Sequence, residues 1–159
     1  FLTSQAVMLA LQGVPGIYFH SLFGSENWQD GVAQTGHNRT INRQKLEHDQ
    51  LTQELEAGLR TLVFSGFQTM LAARRKQVAF NPYGSQTLHH LHPAVVAIER
   101  NHQDETVLCL QNVSAETANF SLPDSFANHS YEVILGAPQL EDGSLELDGY
   151  STCWLKQIG

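Results

Sequence analysis

The stretch GVPGIYFH, residues 13–20, is followed by a polar loop that contains TGHNRTINR, residues 35–43. The apolar residues 16–19 predict a short buried strand, because uncharged runs bounded by Gly and Pro are typical of such strands. The loop carries Arg39 and Arg43, whose guanidinium groups keep their charge at every physiological pH. A buried strand that ends in a long arginine-bearing loop predicts the rim of a barrel facing a polyhydroxylated or anionic ligand.

Two parts of the chain have helical periodicity. Residues 3–11 predict a helix that ends at the Gly and Pro of the stretch above. In residues 49–77, apolar side chains recur at three- and four-residue steps, which predicts an amphipathic helix that Gly58 bends or divides. Asp49 is the predicted N-cap. The other end carries three cations that suit the helix dipole, Arg74, Arg75 and Lys76.

From about residue 86 the pattern changes to short strands separated by turns. We predict strands at 87–91, 95–100, 106–111, 118–122, 131–135, 145–147 and 152–156. The turns between them include residues 123–128, Asp142-Gly143 and Asp148-Gly149. Such closely spaced strands are typical of a small antiparallel sandwich or barrel, and the sandwich is the predicted domain. The fold class is therefore α+β, with helices first and an all-β domain after them.

Composition excludes several classes of protein. The net charge of −7 argues against a nucleic-acid partner, which would require a basic surface. The longest apolar run, residues 6–23, is interrupted by polar residues, Gly and Pro, so we expect neither a membrane span nor a signal peptide. Cytoplasmic location is the resulting expectation.

Cysteine and asparagine patterns are consistent with that location. Cys109 and Cys153 lie in separate apolar strands and are predicted to be buried free thiols, although a pairing between them stays open. Four Asn-x-Ser/Thr triplets are present, but such matches are frequent in a sequence rich in Asn and Ser. The triplets begin at Asn38, Asn112, Asn119 and Asn128.

The motifs GVPGIY at residues 13–18 and GHNRTINR at residues 36–43 resemble the C-terminal part of the α-amylase superfamily, glycoside hydrolase family 13. The resemblance is strongest to the branch containing sucrose phosphorylase and related enzymes such as glucosylglycerate phosphorylase. Residues 72–82 and 109–114 also fit that branch, so the similarity covers nearly the whole chain.

The resemblance implies a domain organisation. Residues 1–84 would be the end of a (β/α)₈ barrel, comprising its last strand, a site loop and its last helices. Residues 85–159 would be the C-terminal all-β domain. The chain begins inside an apolar run, and we expect it to be the tail of a larger enzyme.

The resemblance also implies a chemistry, the double-displacement transfer of a glucosyl group by two carboxyl groups. Those carboxylates are expected before Phe1, so no catalytic residue is predicted within the chain. The substrate-binding candidates are Arg39, which matches the family arginine at the inner end of the glucose site, together with Arg43 and His20. For Arg39 the alternative is that it only braces the loop, and for Arg43 that it ties the loop to the barrel rim. For His20 the alternative is a structural role.

No metal or cofactor is predicted. Neighbouring residues of a strand point to opposite faces, so His90 and His92 could share a side but His89 could not join them. No Cys or carboxylate stands at a supporting spacing. The acids of the site loop, Glu26 and Asp30, are not expected to touch substrate.

The resemblance implies a retaining, sucrose phosphorylase-like enzyme that releases glucose 1-phosphate from an α-glucoside. The predicted partners are the α-glucoside and inorganic phosphate, bound by the full-length enzyme. The fragment itself is expected to be inactive and to self-associate through unpaired apolar helix faces. Two alternatives remain at this stage. One is an α-glucoside hydrolase of the same superfamily, and the other is a non-catalytic carbohydrate-binding module.

Overall fold

The computed structural model describes residues 1–141 and 144–158. The chain divides into two compact units, Phe1–Pro15 with Thr69–Gly159 and Gly16–Gln68. The α-helices of the described residues are α1 (Leu2–Ala10), α2 (Phe19–Leu22), α3 (Gln29–Thr35), α4 (His48–Glu54), α5 (Leu59–Arg75) and α6 (Asp124–Ala127). The 3₁₀ helices are Asn38–Asn42 and Val78–Phe80. Within the described ranges, no helix combines the length and apolar content needed to cross a bilayer.

The strands form two antiparallel sheets in the first unit. The described strands are β1 (Ser85–His89), β2 (Val95–His102), β3 (Glu105–Asn112), β4 (Ala118–Ser121), β5 (Ser130–Leu135), β6 (Gln139–Glu141), β7 (Ser144–Leu147) and β8 (Thr152–Ile158). The larger sheet has the order β1-β2-β3-β8-β5, and the smaller has the order β4-β7-β6. The small antiparallel sandwich predicted from the sequence is therefore confirmed.

Each predicted strand overlaps an observed one. Strand β6 was missed because its three residues are too few to show alternation. Helix α6 was missed because Pro123 and its polar neighbours predict a turn, and the helix is a single turn. The predicted turn at Asp142-Gly143 lies outside the described residues.

One face of the larger sheet packs against the smaller sheet. The buried cluster between them contains Leu108, Leu110, Leu155, Phe120 and Leu145, and Phe126 of α6 belongs to it as well. Apolar side chains at alternate positions of strands in both sheets thus form a continuous core.

The opposite face of the larger sheet is also buried. Ile98, Cys109 and Trp154 are paired in register and are fully buried. The Phe80 ring contacts Trp154 with centroids 4.9 Å apart, and α1 packs on β2 and β3. Burial on both faces explains why the last six residues of β3 are all buried instead of alternating.

Arg100 of β2 binds the C-terminal end of helix α1. Its side chain is fully buried, and Nη1 donates to the carbonyl oxygens of Ala10 (3.1 Å) and Leu11 (3.0 Å). Nη2 donates to Asn81 O at 3.0 Å, and Nε donates to Ser85 O at 3.2 Å. The last carbonyls of a helix have no partner within the helix and carry the negative end of its dipole. These carbonyls therefore take the place of a counter-ion.

Arg74 makes a second contact with the same end of α1. Its Nε donates to Leu9 O at 2.9 Å, and Nη2 donates to Gly13 O at 3.3 Å. The Cζ atoms of Arg74 and Arg100 lie 5.1 and 5.8 Å from the centroid of the Phe80 ring. Burial lowers the pKa of both guanidinium groups, and for Arg100 the nearby Arg74 lowers the pKa further.

Asn112, the first residue of one Asn-x-Ser/Thr triplet, is fully buried at the end of β3. Its Nδ2 donates to the carbonyl oxygens of Glu116, Leu147 and Asp148 at 2.7, 3.0 and 3.1 Å. Its Oδ1 accepts bonds from the N–H and the hydroxyl of Ser114. The side chain thus holds two turns together, and its nitrogen is not available for glycosylation in the folded chain.

We expect Asn112→Ala to lower the free energy of unfolding by about 2 kcal/mol, because buried carbonyl acceptors would lose their donor. Chemical denaturation of the 159-residue chain measures this change. Asn128→Ala is the matched control, since Asn128 is exposed and also begins a triplet. Equal midpoints for the two variants would contradict the role assigned to Asn112.

The two cysteines are free and buried, as predicted. Cys109 and Cys153 lie on the adjacent strands β3 and β8, where Cys109 is paired with Trp154 and Cys153 with Leu110. Burial raises the pKa of Cys109 well above its ordinary value and that of Cys153 to about 12. Both side chains are therefore neutral, inert core residues.

In the second unit, Gly58 divides the long predicted helix into α4 and α5. Its φ of +97° is unfavourable for residues with a Cβ and ends the helical path. The predicted N-cap at Asp49 is wrong: α4 begins at His48 with Glu47 as N-cap. Asp49 lies instead in the first turn, where a carboxylate also suits the helix dipole.

The predicted strand at residues 16–19 is not formed. Residues 14–18 have no regular secondary structure, and helix α2 begins at Phe19. A strand must pair its N–H and C=O groups with a neighbour, and the described strands pair only with one another, within residues 85–158. The position of this segment in a barrel therefore stays a prediction.

Candidate functional site

The substrate-binding candidates all belong to the unit Gly16–Gln68. His20 is the second residue of α2. Arg39 lies in the 3₁₀ helix Asn38–Asn42, and Arg43 is the C-cap of that helix. The structure thus places both arginines on one short element and His20 on another.

The long loop predicted between these elements is partly folded. Helix α3 ends at Gly36, whose left-handed backbone (φ +68°) is typical of a glycine C-cap. The Trp28 N–H donates to Ile41 O at 2.7 Å, and the Thr35 and Thr40 hydroxyls lie 2.9 Å apart. These bonds hold α3 against the 3₁₀ helix that carries Arg39.

Glycine allows the Trp28 ring to pack closely on α3. A Cβ atom at Gly31 would lie 2.1 Å from the Trp28 ring, so only glycine fits at this position. Trp28 therefore packs locally, against the helix that follows it.

Arg39 and Arg43 are both exposed. Among the described residues, neither guanidinium has a hydrogen-bond or ion-pair partner, whereas Arg60 in the same unit is fully engaged. Exposed guanidinium groups can bind an external carboxylate, phosphate or hydroxyl group, and substrate binding by Arg39 and Arg43 stays a prediction.

His20 lies in a hydrogen-bonded network. Its Nδ1 is 3.1 Å from Ser25 Oγ, which accepts a bond from Arg60 Nη1 at 3.0 Å. Arg60 also donates from Nη1 to Phe23 O at 3.0 Å and from Nε to Glu54 Oε2 at 2.5 Å. The arginine is thus fixed on two sides by α4 and the end of α2.

Two aromatic rings lie close to the His20 ring. The rings of Tyr18 and Phe19 have centroids 5.6 and 5.5 Å from that of His20. The Tyr18 hydroxyl donates to Asn42 O at 2.9 Å, which ties this segment to the 3₁₀ helix of Arg39. His20 and the arginine-bearing helix are therefore linked through one tyrosine.

A polar cleft of about 470 Å³ lies in the same unit. Its lining includes Trp28, Glu54 and Arg60, together with Glu26 and Asp30. Sequence reasoning set these two acids aside, and it missed Ser25, Glu54 and Arg60 entirely. Their hydrogen-bond partners are as many as 37 residues away in sequence, so no local spacing marks them.

Two of the three histidines near residue 90 have hydrogen-bond partners within the chain. His89 Nε2 lies 2.9 Å from Glu99 Oε2, and His92 Nδ1 accepts a bond from Ala94 N at 3.2 Å. Ser125 Oγ also donates to Glu99 Oε2, at 2.9 Å. Within the described part of the chain, no group of three or more His, Cys, Asp or Glu residues is arranged to hold a metal ion.

Comparison of the sequence with known proteins identifies a family. Residues 95–153 match the family described as "Alpha-amylase SusG C-terminal domain". The chain is 47% identical to the glucosylglycerate phosphorylase of Spirochaeta thermophila, over 98% of the chain and 29% of that protein. The chain belongs to the α-amylase superfamily. The glucosylglycerate phosphorylase of Escherichia coli is 37% identical, over 98% of this chain and 28% of that protein. The chain thus spans less than a third of these relatives.

Solved structures of the superfamily share the fold. Trehalulose synthase MutB from Pseudomonas mesoacidophila MX-45 superimposes with a TM-score of 0.73, at 20% identity, over 99% of this chain and 38% of that one. The α-glucosyl transfer enzyme XgtA gives a TM-score of 0.70 at 16% identity, over 99% of this chain and 35% of that one. At such identities the likeness shows the fold alone. The curated relatives are phosphorylases, so the family is enzymatic.

Proposed function

We propose that this chain is part of a retaining phosphorylase that cleaves an α-glucoside with inorganic phosphate and releases glucose 1-phosphate. The observation that carries the proposal is the 47% identity to a glucosylglycerate phosphorylase over 98% of the chain. Two further relatives with the same name, at 37% and 33% identity, support it. We therefore propose glucosylglycerate, in preference to sucrose, as the glucoside.

The exposed arginines support an anionic ligand. Phosphate and the glycerate carboxylate are both anions, and a guanidinium offers either one a rigid fork of donors. Arg39 and Arg43 present such donors with no internal partner in the described ranges. In the proposed reaction Arg39 binds the glucosyl group, and His20 and Arg43 contact substrate around it.

The proposed mechanism has two displacements. A carboxylate displaces the leaving group from the anomeric carbon while a carboxylic acid protonates the glycosidic oxygen. Phosphate then displaces the enzyme carboxylate, after giving its proton to the second carboxyl group. We propose that both carboxyl groups belong to the part of the relatives' length that this chain does not span, and that the chain contributes substrate-binding donors.

The location and association of the protein are also proposals. Two buried free thiols are typical of a reducing compartment, which supports a cytoplasmic location.

Leu59 and Leu62 on α5 are 58% and 66% exposed, which supports self-association of the isolated chain. Light scattering on the isolated chain tests that association, and a clean monomer would contradict it.

The test is a donor and acceptor comparison with the full-length gene product. We expect glucose 1-phosphate to form from glucosylglycerate only when phosphate is present, and sucrose to react much more slowly. Release of free glucose at equal rates with and without phosphate would identify the hydrolase alternative. Binding of glucosides without turnover would identify a carbohydrate-binding protein.

The isolated 159-residue chain provides a second arm of the same experiment. We expect no phosphorolysis or hydrolysis above a buffer blank, because the chain lacks the two carboxyl groups of the proposed mechanism. Turnover by a pure preparation of the chain would contradict the proposal that both catalytic carboxyl groups lie outside it.

A further inference from the structure

Arg60 restricts the donor and acceptor roles in the hydrogen bonds around His20. The Arg60 guanidinium is a donor only, so Ser25 Oγ must be the acceptor of the 3.0 Å bond from Nη1. Ser25 retains one hydroxyl proton, and its other side-chain contact is His20 Nδ1 at 3.1 Å. A hydroxyl that donates to Nδ1 uses its proton within the described chain, whereas one that accepts from Nδ1–H leaves that proton without a partner among the described residues.

Arg60, the first donor in this series of hydrogen bonds, is held in place by two further bonds. The Arg60 side chain is 18% exposed and donates to Glu54 Oε2 and to Phe23 O. The break at Gly58 places Glu54 at the end of α4 and Arg60 at the start of α5, so that their side chains meet. Arg60 cannot rotate away from Ser25 without losing both bonds.

From this geometry we propose that Arg60 and Ser25 are positioning residues that fix neutral His20 with its proton on Nε2. A ring that accepts at Nδ1 must carry its proton on Nε2. Nε2 has no hydrogen-bond partner in the described part of the chain. In this tautomer His20 presents an N–H donor at Nε2. It fits an oxygen acceptor, either a sugar hydroxyl or an oxygen of phosphate or carboxylate.

The use of this donor on substrate rests on the proposed function, but the tautomer itself does not. The two parts are therefore tested separately. The first test uses the isotope-labelled 159-residue chain, and the second uses the full-length enzyme.

The first test is the ¹⁵N NMR spectrum of the His20 imidazole at a pH where the ring is neutral. We expect the proton on Nε2 and a hydrogen-bonded acceptor shift at Nδ1. Ser25→Ala and Arg60→Met should each move the Nδ1 resonance toward that of a free ring, while Ser25→Thr should retain the wild-type spectrum. Ser21→Ala is the control, because Ser21 lies on α2 outside the network.

The wild-type spectrum alone keeps the proposal falsifiable if a variant fails to fold. A proton on Nδ1, or an Nδ1 resonance already equal to that of a free ring, would overturn it. So would a Ser25→Ala spectrum identical to wild type in a chain with unchanged backbone resonances.

The second test compares two amide replacements of His20 by kinetics. Glutamine can place an N–H donor near the position of Nε2, whereas asparagine reaches only the position of Nδ1. We expect His20→Asn to lower kcat/KM about tenfold or more and His20→Gln to lower it less than about threefold. The reverse order would overturn donation from Nε2. An inactive wild-type enzyme would count against the proposed function and would leave the NMR result standing.

Discussion

In the proposed full-length phosphorylase, Arg39→Ala is expected to lower kcat/KM for glucosyl transfer by roughly 100-fold or more, about 3 kcal/mol of transition-state stabilisation. The reason is that Arg39 is exposed and without a partner in the described structure, so its donors are free for substrate. A charged hydrogen bond in a closed site contributes more than a neutral one. Steady-state kinetics with glucosylglycerate and phosphate measures the loss.

Lys45→Ala is the matched control for this change. It removes one positive charge from the same loop, and Lys45 is exposed like Arg39. We expect kinetic constants within twofold of wild type for Lys45→Ala. The same result for Arg39→Ala would exclude Arg39 from the site, and equal losses for both variants would indicate a general charge effect.

The largest effect on stability is expected for Arg100→Ala. We expect the free energy of unfolding to fall by about 4 kcal/mol, since removal of a buried charged donor leaves its acceptors unpaired and opens a cavity. Those acceptors are the carbonyl oxygens of Ala10, Leu11, Asn81 and Ser85. Such a loss is large relative to the roughly 5–15 kcal/mol typical of a domain.

Chemical denaturation of the 159-residue chain measures this effect, with Arg75→Ala as control. Arg75 carries the same side chain but is exposed on α5, so we expect its replacement to change stability by less than about 0.5 kcal/mol. Arg100→Lys should recover only part of the stability, because an ammonium group has fewer donors in a different geometry. A stability of Arg100→Ala equal to that of the control would contradict the role of these bonds.

Much of the fold could be predicted because its signals are local. The alternation at residues 118–122 and 131–135 predicted β4 and β5. Gly58 was predicted to bend or divide the long helix, since glycine is unfavourable inside helices. In the structure its positive φ ends the helical path. The burial of Cys109 and Cys153 followed from their apolar neighbours.

Other features depend on residues far apart in the chain, and no local pattern reveals them. The apolar residues 16–19 were predicted as a strand, but a strand also requires a neighbour, which the described residues do not provide. A charged residue such as Arg100 is expected on the exposed face of a strand. Arg100 is instead buried, and its partners at the end of α1 lie about 90 positions away in sequence. Likewise Arg60 and Ser25 have no motif that links them to His20.

The buried side chain of Asn112 has a consequence for production of the protein. Oligosaccharide transfer to this triplet is chemically feasible only while the chain is unfolded, and a sugar on Nδ2 would remove a proton needed for its three carbonyl contacts. A eukaryotic secretory host would therefore trap part of the product in a misfolded, sugar-modified form. A bacterial host without such a transferase should yield the native domain from the same gene.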